Sequence, residues 1–326
     1  MQITHRKGIF TIEGYSKSLQ SPFFFPSISS IQAEYAVYDY FQLIRKTSYP
    51  ALLISAYDLY HHEKRANFVK EISALSQNSF FVLMDSGHYE ASWRADKTWT
   101  FNKFQEILKD ADMDLCFSFD VYYNGKKKIP EHVKEIIEYT AMTGGKQKSG
   151  ITIPIIHGTS QNLPSVVSKV VEGINPEIIG ITERELGYSL LERASNLKLI
   201  RQELNKMKRD IAIHLLGTGN PASLLIYSLC GANFFDALEW CKNVVNPVNG
   251  QLYHFAQMDL IDCDCKVCKI KDIPYPVRVT SHNLLFYEKF TDEIRESITN
   301  NKVDSLVKKY LPEHIISKIK HLFLRT

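Results

Sequence analysis

Three aspartates stand at or near the ends of apolar runs. Asp85 closes FFVLMD and is followed by Ser86-Gly87, Asp120 closes LCFSFD, and Asp236 lies in NFFDAL with Glu239 three residues on. Two histidines keep similar company: His157-Gly158 follows ITIPII, and His214 sits inside IAIHLLG. Two carboxylates at one mouth can run glycosyl transfer, one attacking the anomeric carbon while the other gives and takes a proton, with the groups about 5 Å apart in the retaining mechanism. A lone Asp after a strand also serves as an ordinary helix cap or turn residue. Three of them on separate runs weaken that structural account. His214 reads as a hydrogen-bonded core histidine. Gly217-Thr218-Gly219 reads as a tight turn, since no complete P-loop spacing surrounds it. Glu183, Arg184 and Glu185 read as solvated loop charges.

A second group points to a metal. CDCKVC supplies Cys263, Cys265 and Cys268 within six residues, a crowding that suits thiolate ligation better than a disulfide framework. A tetrahedral zinc site needs a fourth ligand. His282, 14 residues after Cys268, and His254, nine residues before Cys263, compete for that place. A closed Cys3His set leaves no open coordination position, so the zinc is expected to be structural and to tie the insertion to the rest of the chain. Cys116, Cys230 and Cys241 stand apart and read as buried small hydrophobes.

Eight short apolar runs position these residues: 22–28, 51–57, 80–85, 115–120, 151–156, 177–182, 211–217 and 233–238. They are nearly continuous in hydrophobicity, as strands covered on both faces are. Helical patterns fill most of the gaps, at 61–76, 130–142, 163–174, 188–207 and 221–232, several opening on the proline favoured in a first turn. Ala66, Phe68, Val69, Ile72 and Leu75 form the apolar stripe of the first. Eight strands alternating with helices, without a GxGxxG turn, favour a (β/α)8 TIM barrel over a doubly wound open sheet. Polar strand ends then converge on one mouth. A zinc-binding insertion and C-terminal helices follow, so 1–326 reads as a single domain whose zinc subdomain and helical tail occupy 255–326.

Composition sets the frame. The chain has 326 residues, 44% hydrophobic and 23% charged, with a net charge of +3. Those values exclude disordered, collagenous and coiled-coil classes. No apolar run approaches the roughly 20 residues that span a bilayer, and MQITHRKGIF lacks a signal-peptide core, so a cytoplasmic protein without a membrane partner is expected. The small net charge conceals a basic tail, in which Lys302, Lys308, Lys309, Lys318, Lys320 and Arg325 face only Asp304 and Glu313. Lys266, Lys269, Lys271 and Arg278 flank the cysteines. These segments either contact phosphates or form solvated helix faces.

Taken in order, the segments resemble the tRNA-guanine transglycosylase superfamily. PFFFPSIS is similar to its first strand, LMDSGHYE to its DSGGFQ segment, SFDVYY to its second Asp segment, and PIIHGTS to its strand-five QG segment. IHLLGTGNP, FFDAL and CDCKVC followed by SHNLLFY are similar to its HLxGxGxP, nucleophile and zinc segments. The resemblance implies a pentosyltransferase in which Asp236 attacks C1′ of a guanine nucleotide and Asp85 is the general acid/base. It implies that Asp120, His157, Gly180, Ser86, Gly87 and Tyr89 hold the base. Cys263, Cys265, Cys268 and His282 would hold Zn2+. Tyr89, Tyr122 and Tyr123 either stack on an extruded base or pack in the core.

The chain also departs from the bacterial tRNA pattern. His88-Tyr89-Glu90 replaces GFQ, His157 replaces the pocket Gln, and GITERELG replaces a glycine-rich loop. CKNVVNPVNG stands where an arginine-rich stretch is usual, and only about 40 residues follow His282, so an added RNA-binding domain is not expected there. These features resemble the divergent branch that inserts 7-deazaguanine bases into DNA beside partner proteins. DNA is therefore the expected polymer and tRNA the alternative. A catalytically silent nucleic-acid-binding barrel is the third reading, disfavoured because both Asp85 and Asp236 are present.

Overall fold

In the computed structural model, which describes residues 1–323 apart from 32–33, 48 and 124, an antiparallel meander comes first. Its strands are β1 (Gln2–Arg6), β2 (Ile9–Glu13) and β3 (Ser18–Gln20). The parallel strands follow as β4 (Phe23–Ile28), β5 (Ala51–Ser55), β6 (Phe81–Asp85) and β7 (Leu115–Phe117). Then come β8 (Ile151–Ile153), β9 (Ile155–Ile156), β10 (Ile178–Thr182), β11 (Ala212–Leu216) and β12 (Phe234–Ala237).

Pro154 has no N–H to give a ladder, so it divides the fifth apolar run into β8 and β9. The sheet order is β8-β7-β6-β5-β4-β12-β11-β10-β9. It begins and ends on two halves of one strand, which makes an eight-stranded barrel. The Gly180 N–H crosses the seam to the Pro154 carbonyl at 2.8 Å. The expected (β/α)8 architecture is thus present, with helices such as Arg65–Ser76, Ile129–Gly144, Leu163–Ile174 and Leu190–Lys206 between strands. On the first of these Phe68, Val69 and Ile72 are buried, whereas Ala66 is exposed and Leu75 only partly covered.

The meander covers the end of the barrel opposite the strand C-termini. Ile9, Phe10, Ile12 and Leu19 are buried there. Lys17 reaches under the barrel to the Ser76 and Phe80 carbonyls, at 2.5 and 2.7 Å, and pairs with Asp114 at 2.6 Å. Arg295 donates to the carbonyls of Gln20, Ser21 and Pro22, tying this end to the tail.

Inside the barrel alternate residues of each strand point inward. Phe25, Phe117 and Phe234 surround the His214 ring at centroid distances of 5.8, 5.0 and 6.5 Å. This aromatic layer is the floor beneath the polar strand ends.

After β12 come the short helix Glu239–Lys242 and a hairpin of β13 (Asn243–Val245) and β14 (Leu252–His254). The cysteine loop leads into a 25-residue helix, Tyr275–Thr299, which packs on β4; its Tyr287 stacks on Phe24 at 4.1 Å. The tail therefore supplies a barrel-covering helix, followed by Val303–Tyr310 and Glu313–Phe323. No helix among the described residues is long and apolar enough to cross a membrane.

Candidate active site

Strand C-termini open into a cavity of about 710 Å3 lined by Asp85, Asp120, His157 and Asp236 among others. Asp236, one register below the end of β12, is clamped on both oxygens. His214 Nε2 lies 2.8 Å from Oδ1, and Ser27 Oγ donates to Oδ2 at 3.0 Å. The buried His214 is hydrogen-bonded, as expected of a core histidine, and its partner is the candidate nucleophile.

Asp85 ends β6. The Gly87 N–H donates to its Oδ2 at 2.9 Å from a backbone with φ +83°. A Cβ at Gly87 would stand 2.5 Å from Tyr57 Cβ, so only glycine permits this turn. Burial, then the neighbouring Glu90, Asp120 and Asp236 carboxylates, push the Asp85 carboxyl well above the usual range. A proton-holding carboxyl beside an oriented carboxylate is the arrangement that divides acid/base from nucleophilic work.

Asp120 sits in a chain of charge. His157 Nε2 lies 2.5 Å from Asp120 Oδ1, and His157 Nδ1 lies 2.7 Å from Glu185 Oε1. Burial opposes a charge on the ring, but the two carboxylates outweigh it and push the His157 pKa up to about 10. The imidazolium in turn holds Asp120 below the usual carboxylate range against the effect of burial.

The expectation of solvated charges is corrected for Glu183 and Glu185, while Arg184 is exposed as expected. Glu183 and Glu185 are each only 17% exposed. Glu183 pairs with Arg193 at 2.9 Å and accepts from the Tyr227 hydroxyl at 2.9 Å, while Arg184 lines the cavity. Their partners lie on other elements, which local polarity cannot reveal.

Glu90 is a functional candidate that the strand-end pattern does not select. It is 3% exposed, lines the cavity, and accepts from Ser29 Oγ at 2.6 Å and Ser55 Oγ at 2.7 Å. Burial and the nearby Asp58 raise its pKa to about 7. Glu239 also lines the cavity, and its carboxyl is raised by burial.

The other base-holding candidates lie differently. Tyr89 reaches the cavity rim together with Trp93 and Tyr122, exposed by 38%, 58% and 58%. Tyr123 instead faces the His132 ring at 4.7 Å. Ser86, Gly87 and Gly180 are not on the cavity lining. The buried Ser86 hydroxyl has no partner among the described residues, and the Ser86 carbonyl accepts from Trp99 Nε1 at 3.1 Å. A Cβ at Gly180 would stand 2.9 Å from the Phe117 ring, so glycine there gives the interior room.

Beyond β14, Cys263, Cys265, Cys268 and His282 place their ligand atoms within 4.8 Å of one another, a set that can bind a metal ion. The three Sγ atoms lie 3.4, 3.7 and 3.5 Å from His282 Nδ1. A tetrahedron with zinc–sulfur and zinc–nitrogen bonds of ordinary length has S···N edges of about 3.6 Å, so the donors fit that ion. His282 Nε2 is 2.8 Å from the Val245 carbonyl, which orients the ring. His254, the competing candidate, instead caps the turn Phe255–Leu260 by accepting from the Ala256 N–H.

Several basic side chains near the tail have acidic partners: Lys269 with Asp264, Arg278 with Asp259 and Lys309 with Glu293. Lys302, Lys308, Lys318 and Lys320 are exposed, and Arg325 lies outside the described residues.

Fold and site define a parallel (β/α)8 barrel with a carboxylate-rich mouth and a C-terminal Cys3His set that can bind a metal ion. The chain is 30% identical over 141 residues to queuine tRNA-ribosyltransferase of Lachnoclostridium phytofermentans, a stretch covering 35% of this chain and 36% of that protein. The match thus spans about a third of the length of the curated relative. It supports a relation to the tRNA-guanine transglycosylase superfamily and does not reach the DNA-modifying branch. No protein-family model matches the chain.

Proposed function

We propose that the protein is a pentosyltransferase that replaces guanine in a polynucleotide with a 7-deazaguanine base. The observation that carries this reading is the meeting of Asp85 on β6, Asp120 on the loop after β7 and Asp236 on β12 in one cavity, with Asp236 held at both oxygens. The target nucleotide leaves its stack to enter the pocket. Asp236 attacks C1′, the bond from C1′ to the base nitrogen breaks, and a glycosyl ester forms as guanine leaves with the proton that Asp85 gives to its nitrogen. The incoming base then gives its ring N–H proton to Asp85, and the nitrogen displaces Asp236. Two inversions retain configuration at C1′. Asp120 accepts from the base edge, and Tyr89 flanks the rim. Ser86, Gly87 and Gly180 support the pocket from behind. Cys263, Cys265, Cys268 and His282 hold structural zinc, which cross-links the insertion to the Tyr275–Thr299 helix.

The polymer we assign is DNA, modified beside partner proteins in the cytoplasm. Support comes from the replacements at Glu90, His157, Glu183 and Glu185, each built into a hydrogen-bonded network rather than left as a loose loop charge. The likeness to a queuine tRNA-ribosyltransferase favours tRNA as the second reading. Purified protein offered a labelled 7-deazaguanine base with duplex DNA, single-stranded DNA and tRNA separates the two. Label in DNA is expected. Label in tRNA alone overturns the DNA assignment and leaves the chemistry standing, whereas label in none contradicts exchange by this chain alone.

A further inference from the structure

His157 stands where the resemblance implies a direct contact with the base, yet both of its ring nitrogens are already used. Nε2 faces Asp120 at 2.5 Å and Nδ1 faces Glu185 at 2.7 Å. A ring flanked by two carboxylates donates to both, so neither nitrogen is left to reach for a ligand. Any influence on the base must pass through Asp120, which lines the cavity.

Asp120 needs such help. It lines the same cavity as Asp85, both half-buried, and like charges in such a site favour protonation of one carboxyl. A protonated Asp120 presents an O–H to an incoming N–H, donor against donor. The imidazolium prevents this, and Glu185 keeps the imidazolium charged. Gly158 N–H lies 3.4 Å from the second oxygen of Glu185. Other titratable groups facing Asp120 are Asp85, His88 and Arg184. His132 Nε2 is 3.0 Å from the His157 carbonyl. One oxygen of Asp120 serves His157, and a carboxylate retains further acceptor capacity for a ligand.

We propose that His157 and Glu185 are positioning residues that hold Asp120 as an ionised acceptor, and that this fixed charge selects a base whose edge presents two adjacent N–H donors. A guanine-type edge, with a ring N–H beside an exocyclic amine, has that pattern; hypoxanthine, which lacks the amine, does not. The inference rests on the base-exchange reading, because it takes the cavity to hold a base.

The test uses the full chain and free bases. Calorimetric titration with guanine and with hypoxanthine is made on the wild type, Glu185→Gln and His157→Gln. Nitrogen-15 spectra of the histidines are recorded at pH 8. The wild type is expected to prefer guanine by about tenfold or more, the effect of a hydrogen bond to a charged acceptor. In both variants that preference is expected to fall to a few-fold, and the His157 ring is expected to be doubly protonated in the wild type and less so in Glu185→Gln. Should His157→Gln fail to fold, Glu185→Gln and the wild-type spectrum carry the test. Guanine binding with unchanged preference in the variants, or a neutral His157 ring in the wild type, overturns the clamp and leaves the base-exchange reading intact. Failure of the wild type to bind either base overturns both.

Discussion

His214 Nε2 lies 2.8 Å from Asp236 Oδ1 across neighbouring parallel strands. An ionised carboxylate only accepts, so the ring must carry its proton on Nε2. Together with Ser27 it leaves Asp236 little freedom to rotate. His214→Phe, which fills the ring space without the donor, is expected to slow base exchange by about tenfold to a hundredfold, the value of one charge-assisted hydrogen bond. Steady-state rates with the melting temperature measured alongside check this. A rate equal to the wild type means the contact is packing alone.

Asp85 is the second prediction. Its raised affinity for a proton suits it to exchange one with a leaving or arriving base. Asp85→Ala is expected to slow exchange by about two to four orders of magnitude, the range of general acid/base catalysis. Binding of the polynucleotide should persist, and a gel-shift measurement distinguishes the two effects.

Glu90 makes a prediction about stability. Its folded pKa of about 7 lies above its ordinary value of 4.5, so the folded state holds a proton that the unfolded state releases between those pH values. Stability is then lost as pH rises through that window. Glu90→Gln keeps the shape and removes the titration. At pH 8 the variant is expected to be more stable than the wild type by about 3 kcal/mol, with the difference vanishing below about pH 4.5. Denaturant titrations of both proteins across this range measure it.

The cysteine cluster predicts a metal-dependent tail. About one zinc ion per chain is expected by elemental analysis, lost in Cys268→Ala or with a strong chelator. Loss should lower the melting temperature and increase proteolysis first near 260–275, while the barrel strands stay protected from hydrogen exchange. An unchanged melting temperature after full metal removal contradicts a structural role.

What the sequence makes legible follows from physics local to each segment. The barrel strands are visible because both faces are covered, giving continuous apolar runs such as Ala51–Ser55. The cysteines betray themselves by spacing alone. The helix Val37–Lys46 is hidden by a start at Ala36 without a side-chain cap. The meander has a signal that runs of apolar residues do not register: Lys7-Gly8, both with positive φ, form its two-residue turn. The site is only half legible. Asp85, Asp120, His157 and Asp236 stand at strand ends, where a barrel puts its chemistry. Glu183 and Glu185 look like loop charges because their partners Tyr227 and His157 lie 44 and 28 residues away. Glu90 is buried by Ser29 and Ser55, contacts across 61 and 35 residues.

The central claim is a covalent bond between Asp236 and a polynucleotide sugar after guanine has left. It is tested most directly by quenching the protein with end-labelled polynucleotide under denaturing conditions and locating the label by mass spectrometry. The wild type should carry the polymer as an ester on Asp236, and Asp236→Ala should carry none while folding normally. An adduct on another residue, or undiminished base exchange in Asp236→Ala, would contradict the account.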